Sequence, residues 1–159
     1  MICRGILLIL LLLLTACGNQ SEPPQNTNKS TADKLFEFKL EKLASERWFT
    51  KEQAISGKKV FAVNCAACHG DSAQGIVVDW KQRLPNGKYP PPPLNGSAHA
   101  WHHSLSVLRQ SIIEGGERLG GTMPAMKNAL NDVQITNVLA YITSLWPSET
   151  YQRWAEINQ

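Results

Sequence analysis

Cysteine is scarce in this 159-residue chain: there are four, at positions 3, 17, 65 and 68. The net charge of +3, from 16 basic and 13 acidic side chains, comes with no basic run of the kind that marks a nucleic-acid partner. Only one C-x-x-C pair occurs, and no Cys/His pair stands at finger spacing, so a zinc ribbon lacks its second ligand pair. A βαβ pattern is missing as well, which removes the thioredoxin-like reading of that pair. The one long apolar run, residues 6–14, is too short to span a bilayer comfortably as an anchor. Hydrophobic residues still make up 43% of the chain, enough for one compact domain with extra segments.

Against these absences stands Cys65-Ala66-Ala67-Cys68-His69, followed at once by Gly70. A C-x-x-C-H run is the attachment signature of a c-type haem. The two thiols add across the vinyl groups of the ring as thioethers, and the two-residue spacer sets their separation. The histidine that follows lies under the ring and gives an imidazole nitrogen to iron. One covalent haem c is therefore the expected cofactor.

Residues 1–16 read as an export signal: Arg4 supplies a positive start, the apolar run follows, and small residues come after it. Leu14-Thr15-Ala16-Cys17 resembles a bacterial lipoprotein signal, in which Cys17 is lipidated and becomes the first mature residue. An ordinary secretory signal cut near the same place is the alternative. Cysteine accounting favours the lipid. Cys3 leaves with the signal, Cys65 and Cys68 go to haem, and Cys17 would otherwise be a stray thiol with no disulfide partner.

Residues 17–32 are polar and without apolar periodicity, so a flexible tether is expected there. Residues 33–49 form a helical extension, with Phe36, Leu40 and Leu43 at helical spacing between charged residues. Such an amphipathic helix either docks on a partner or membrane surface or packs on the haem domain. Its balanced charges favour packing.

The haem domain is expected over residues 50–146, with residues 147–159 as a tail. Thr50 and Gln53 form a capping box that opens a helix leading to Cys65. Asn131 and Gln134 repeat the pattern ahead of a helix through Trp146, which Pro147 stops. Ile135, Val138, Leu139, Ile142 and Leu145 give that helix its apolar stripe. Gly57 and Phe61 lie one turn apart on the first helix. A helical glycine costs up to about 1 kcal/mol relative to alanine, so close approach of another helix would explain it. A third helix is expected from Ser104 to Glu114, ended by Gly115-Gly116.

A Gly-x-x-x-Phe helix before C-x-x-C-H, a Met-Pro loop at Met123-Pro124, and a terminal helix with Ala140-Tyr141-Ile142 resemble class I monohaem cytochrome c. The resemblance covers residues 50–146. It implies an all-α fold of few helices around the haem, with Gly57 and Phe61 crossing Tyr141. It also implies that the Pro92 carbonyl accepts the free N–H of His69 and that Leu94 packs on the haem face. Pro91 stands where the family usually has glycine, which leaves Pro93 as an alternative register. Gly120-Gly121-Thr122-Met123-Pro124 would present the Met123 thioether as sixth ligand, with Met126 as competitor three residues on.

With both axial positions filled, iron has no open site for substrate, which points to single-electron transfer rather than catalysis. The expected partners are redox proteins in transient contact with a monomer, together with a bacterial membrane reached by the lipid on its periplasmic side. Gly18, with no Asp after Cys17, resembles the sorting pattern for the outer membrane. Two other readings stand beside this one. A displaceable distal ligand would make a haem enzyme unit or sensor, and His99, His102 and His103 around Trp101 could hold copper or zinc, or ligate iron.

Overall fold

The computed structural model describes residues 30–158. The expected signal segment, Cys17 and all but the last residues of the expected tether lie outside the described residues. Within them the chain forms six α-helices and two 3-10 turns. The helices are α1 (Thr31–Ala44), α2 (Lys51–Asn64), α3 (Ala66–His69), α4 (Leu105–Glu114), α5 (Asp132–Ser144) and α6 (Ser148–Ile157). The only bridge among the described residues is an isolated parallel one between Tyr89 and Gly121. None of these helices is long and apolar enough to cross a membrane.

Local signals set most helix starts. Both capping boxes form: the Thr50 and Asn131 side chains accept from the Gln53 and Gln134 amides, and each glutamine reaches back to the cap amide. Ser104 caps α4 by accepting from Val107. Ser30 caps α1 by accepting from Asp33, two residues ahead of the start that apolar spacing alone predicts.

The centre of the fold is the crossing of α2 and α5. A Cβ placed on Gly57 would lie 1.8 Å from the Asn137 carbonyl oxygen and 2.9 Å from Tyr141 Cβ, so the two backbones touch where the side chain is absent. One turn on, the Phe61 and Tyr141 rings pack with centroids 5.2 Å apart. Eight residues of α5, Ile135 and the run from 138 to 144, are buried. Two of them are polar, and their hydroxyls are satisfied within the helix: Thr143 donates to Leu139 and Ser144 to Tyr141.

The segment expected as a tail is a helix on this core. In α6, Tyr151 and Trp154 are buried against Trp146, and Trp154 Nε1 donates to the His103 carbonyl at 2.8 Å. Pro147 therefore ends α5 and also opens α6 from its N-cap position, where its fixed φ and missing N–H cost nothing. The α5 helix stops at Ser144, two residues short of the expected end, because Leu145 and Trp146 tighten into i→i+3 bonds with Ile142 and Thr143.

Arg47 closes that end. Its guanidinium donates to the Thr143 carbonyl at 2.7 Å and the Trp146 carbonyl at 3.1 Å, and lies 4.3 Å from the centre of the Tyr151 ring. A cation here meets the negative end of the α5 dipole and adds a charged donor to two helix-end carbonyls. The Tyr151 hydroxyl in turn accepts from the Trp48 amide at 2.9 Å. Leu40 and Phe49 of the extension pack with Ala54 and Ala140 in a second small core. The extension packs on the haem domain, as its balanced charge suggested.

Arg47→Leu should keep most of the stem packing while leaving two helix-end carbonyls without their charged donor. Hydrogen bonds to a charged group contribute roughly 1.5–3 kcal/mol. The Tm of the haem-loaded protein should fall by roughly 5–10 °C, with Arg47→Lys in between because an ammonium cannot fork to both carbonyls. An unchanged Tm in Arg47→Leu would show that the extension is not clamped through this residue.

Candidate functional site

The C-x-x-C-H run sits on a single turn. The α2 helix ends where the Cys65 amide bonds Phe61, and the Cys68 and His69 amides both donate to the Cys65 carbonyl. Cys65 is half-buried and Cys68 exposed, and both are free thiols. Burial pushes the Cys65 thiol up to about 11, with Cys68 nearby adding to the effect. The pair thus presents two reduced thiols at one spacer length, with Cys68 open to an approaching electrophile.

His69 is buried, with 6% exposure. Its Nδ1 lies 2.9 Å from the Pro92 carbonyl oxygen. A carbonyl only accepts, so Nδ1 carries the proton and donates, and Nε2 is left with a free lone pair. Burial lowers the imidazole's proton affinity, partly offset by the Pro92 bond, which favours the neutral form that a metal ligand needs.

Pro92 is held in place by a strained neighbour. Ala73 is fully buried at φ 56°, the left-handed region that non-glycine residues rarely adopt. In that conformation its carbonyl accepts from Leu94 at 2.7 Å and Asn95 at 3.2 Å, tying the proline segment to the loop after His69. From the other side, Trp146 Nε1 donates to the Leu94 carbonyl at 2.8 Å. Of the two candidate prolines, it is the Pro92 carbonyl that meets His69, and Pro93 is buried. Nothing in the sequence marks Ala73. Trp146 has no local signal for its bond either, since the partner lies 52 residues away.

Met123 and Met126 are both half-buried on the main core, together with Cys65 and Leu94. Their backbones differ. The Met126 amide donates to Ile112 at 3.0 Å, and its carbonyl accepts from Ala129 and Leu130, so it starts a turn sewn to the end of α4. The Met123 carbonyl accepts from Gly116 at 2.9 Å, in a loop that Gly115 lets in. Gly115 has φ 77°, and a Cβ there would come within 2.7 Å of the backbone of Met123, Pro124 and Ala125. The Gly115-Gly116 pair that ends α4 also seats the methionine loop.

The histidine cluster does not converge. His99 stacks on Trp80 with ring centroids 4.9 Å apart, His102 packs on Trp101, and His99 and His103 meet edge to face at 5.6 Å. No group of three His, Cys, Asp or Glu among the described residues is placed to hold a metal ion. The copper reading loses its site for that reason. Burial, followed by His103, His102 and Lys81, lowers the proton affinity of His99.

These residues fit a covalent haem: two unpaired thiols, one imidazole with only Nε2 free, and apolar side chains on the same core. Comparison with known proteins agrees. The family profile of Cytochrome c matches residues 54–146. The cbb3-type cytochrome c oxidase subunit CcoP of Azospirillum sp. (strain B510) is 32% identical over 93 residues, covering 58% of this chain and 29% of the relative. Subunit FixP of Azorhizobium caulinodans is 29% identical over 136 residues, covering 82% of this chain and 42% of that protein. Subunit CcoP of Rhodobacter capsulatus is 32% identical over 101 residues, covering 58% and 29%. The chain thus spans between 29% and 42% of the length of these relatives. No solved structure matches it. With the crossing of α2 and α5, the C-x-x-C-H turn and this profile in agreement, the chain belongs to the cytochrome c family, as a class I c-type cytochrome with covalent haem c.

Proposed function

We propose that this cytochrome is a lipid-tethered, monomeric electron carrier facing the periplasm, with His69 and Met123 as axial ligands and no catalytic site of its own. Haem c supplies a one-electron couple. Cys65, Cys68 and His69 would hold it, Leu94 would pack against it, and Met123 would offer its thioether as the second ligand. The observation that carries the reading is the His69–Pro92 bond, which leaves one defined nitrogen free beside two reduced thiols. Ligation by Met123 draws support from its half-buried place on the same core and from the glycine-seated loop that holds it.

The reduced protein should bind carbon monoxide poorly, because a filled sixth position leaves no site for an added ligand. Ready binding would move the protein to the class of haem enzymes or sensors with a displaceable ligand. The relatives are named as oxidase subunits, which favours a respiratory redox protein as the transient partner.

The anchor rests on Leu14-Thr15-Ala16-Cys17, and Gly18 favours the outer membrane over the inner. Cys17→Ala should leave unprocessed precursor or a soluble protein. Wild-type protein that fractionates as soluble, without detergent or proteolysis, would contradict the anchor.

A further inference from the structure

The α1 helix has two unlike faces. Phe36 and Leu40 pack on the core, Leu40 completely buried, and Leu43 on the same side is half-buried. On the other side Leu35 and Phe38 are 69% and 79% exposed, flanked by Lys34, Lys39 and Lys42, all exposed. At about 100° per residue these five side chains share an arc of roughly 140°. The helix as a whole is close to neutral, but its acids are drawn off this arc. Asp33 pairs with Lys58 of α2 at 2.9 Å, Glu41, exposed at the edge of the arc beside Lys34, is neutralised by Lys51 of α2 at 2.6 Å, and Glu37 is half-buried on the inward flank. What remains outward is a basic, apolar-centred strip.

We propose that this face of α1 rests on an anionic bilayer surface. Leu35 and Phe38 enter the boundary between headgroups and acyl chains, while the three ammonium groups meet lipid phosphates and their stems lie along the apolar centre. The proposal builds on the reading of Cys17 as a lipid anchor. Thirteen residues lie between Cys17 and Thr31, so even a fully extended connection reaches only about 50 Å, and α1 is the first of the described helices that an anchored chain brings to the surface. A convex helix face with two apolar side chains between lysines matches a flat anionic interface. An acidic protein would have to supply a groove to bury the same two residues.

The test uses the full-length, haem-loaded protein as exported, mixed with vesicles of phosphatidylcholine alone or with phosphatidylglycerol. Vesicle flotation reads the anchor, and acetylation of individual lysines, followed by mass spectrometry, reads the face. On phosphatidylglycerol vesicles, labelling of Lys34, Lys39 and Lys42 should slow about fivefold, while Lys81 and Lys127, outside α1, keep their rates. High salt should remove most of the protection. Leu35→Ser combined with Phe38→Ser should weaken it without touching the core, since both side chains are exposed. Flotation on both vesicle types with equal labelling of all five lysines would overturn the proposal, leave the anchor standing and give the face to an acidic protein. Protection on anionic vesicles without flotation on neutral ones would support the proposal and remove the anchor. Neither flotation nor protection would remove both.

Discussion

Gly57→Leu is expected to prevent the protein from accumulating in a folded, haem-loaded form. The first added carbon already falls 1.8 Å from a backbone carbonyl oxygen of α5, and a main-chain atom cannot swing aside as a side-chain tip can. Relief requires α2 and α5 to separate. That unpacks Phe61 from Tyr141 and shifts the helix end that presents Cys65. Overpacking commonly costs about 1–3 kcal/mol where side chains can adjust, and this contact offers no such adjustment. Domains of this kind have only about 5–15 kcal/mol in total. Gly57→Ala should already lower the Tm by roughly 10 °C or more. Ser56→Leu, one residue away and exposed, is the control and should stay within about 0.5 kcal/mol of wild type. Equal melting temperatures for Gly57→Leu and Ser56→Leu would mean that the helices do not meet at this residue.

The second large effect concerns the methionine loop. Met123→Ala should retain covalent haem, because Cys65, Cys68 and His69 are untouched. Its reduction potential should drop by on the order of 0.1–0.2 V, within the roughly 0.8 V that axial ligands span, because a thioether favours the reduced iron. Carbon monoxide should then bind readily to the reduced variant. Met126→Leu conserves volume and leaves the backbone bonds to Ile112, Ala129 and Leu130 in place, so it should be nearly silent. If Met126→Leu abolished the iron–sulfur charge-transfer band and Met123→Ala spared it, the two roles would be exchanged.

What the chain reveals before folding is what depends on near neighbours. Thr50 with Gln53, Asn131 with Gln134, and the five-residue haem motif each act within one helical turn, and each is found where its pattern stands. The Gly57 crossing was legible because a helical glycine asks for a reason. Other features depend on residues far apart in sequence. Arg47 reaches carbonyls 96 and 99 residues away, and no local pattern distinguishes it from any other surface arginine.

The α6 helix was legible in part. Tyr151, Trp154 and Ala155 stand at helical spacing after a proline that can open a helix as well as close one. The charge of α1 was legible only as a sum. Summed over the helix, acids and lysines cancel, but α2 supplies Lys51 and Lys58 to the acids and leaves one face basic. A sum over sequence cannot see that partition. Ala73 was hidden altogether, since its left-handed backbone is imposed by burial and by two amides from the Leu94-Asn95 strand of loop.

One-electron transfer through a haem held between His69 and Met123 is tested by a redox titration with absorption spectra of both oxidation states. The titration should give a single reversible wave with a one-electron slope, about 59 mV per decade, and the oxidised wild-type protein should show an iron–sulfur charge-transfer band that disappears in Met123→Ala. A band that is absent from oxidised wild type, with spectra that change when an exogenous ligand is added, would contradict it.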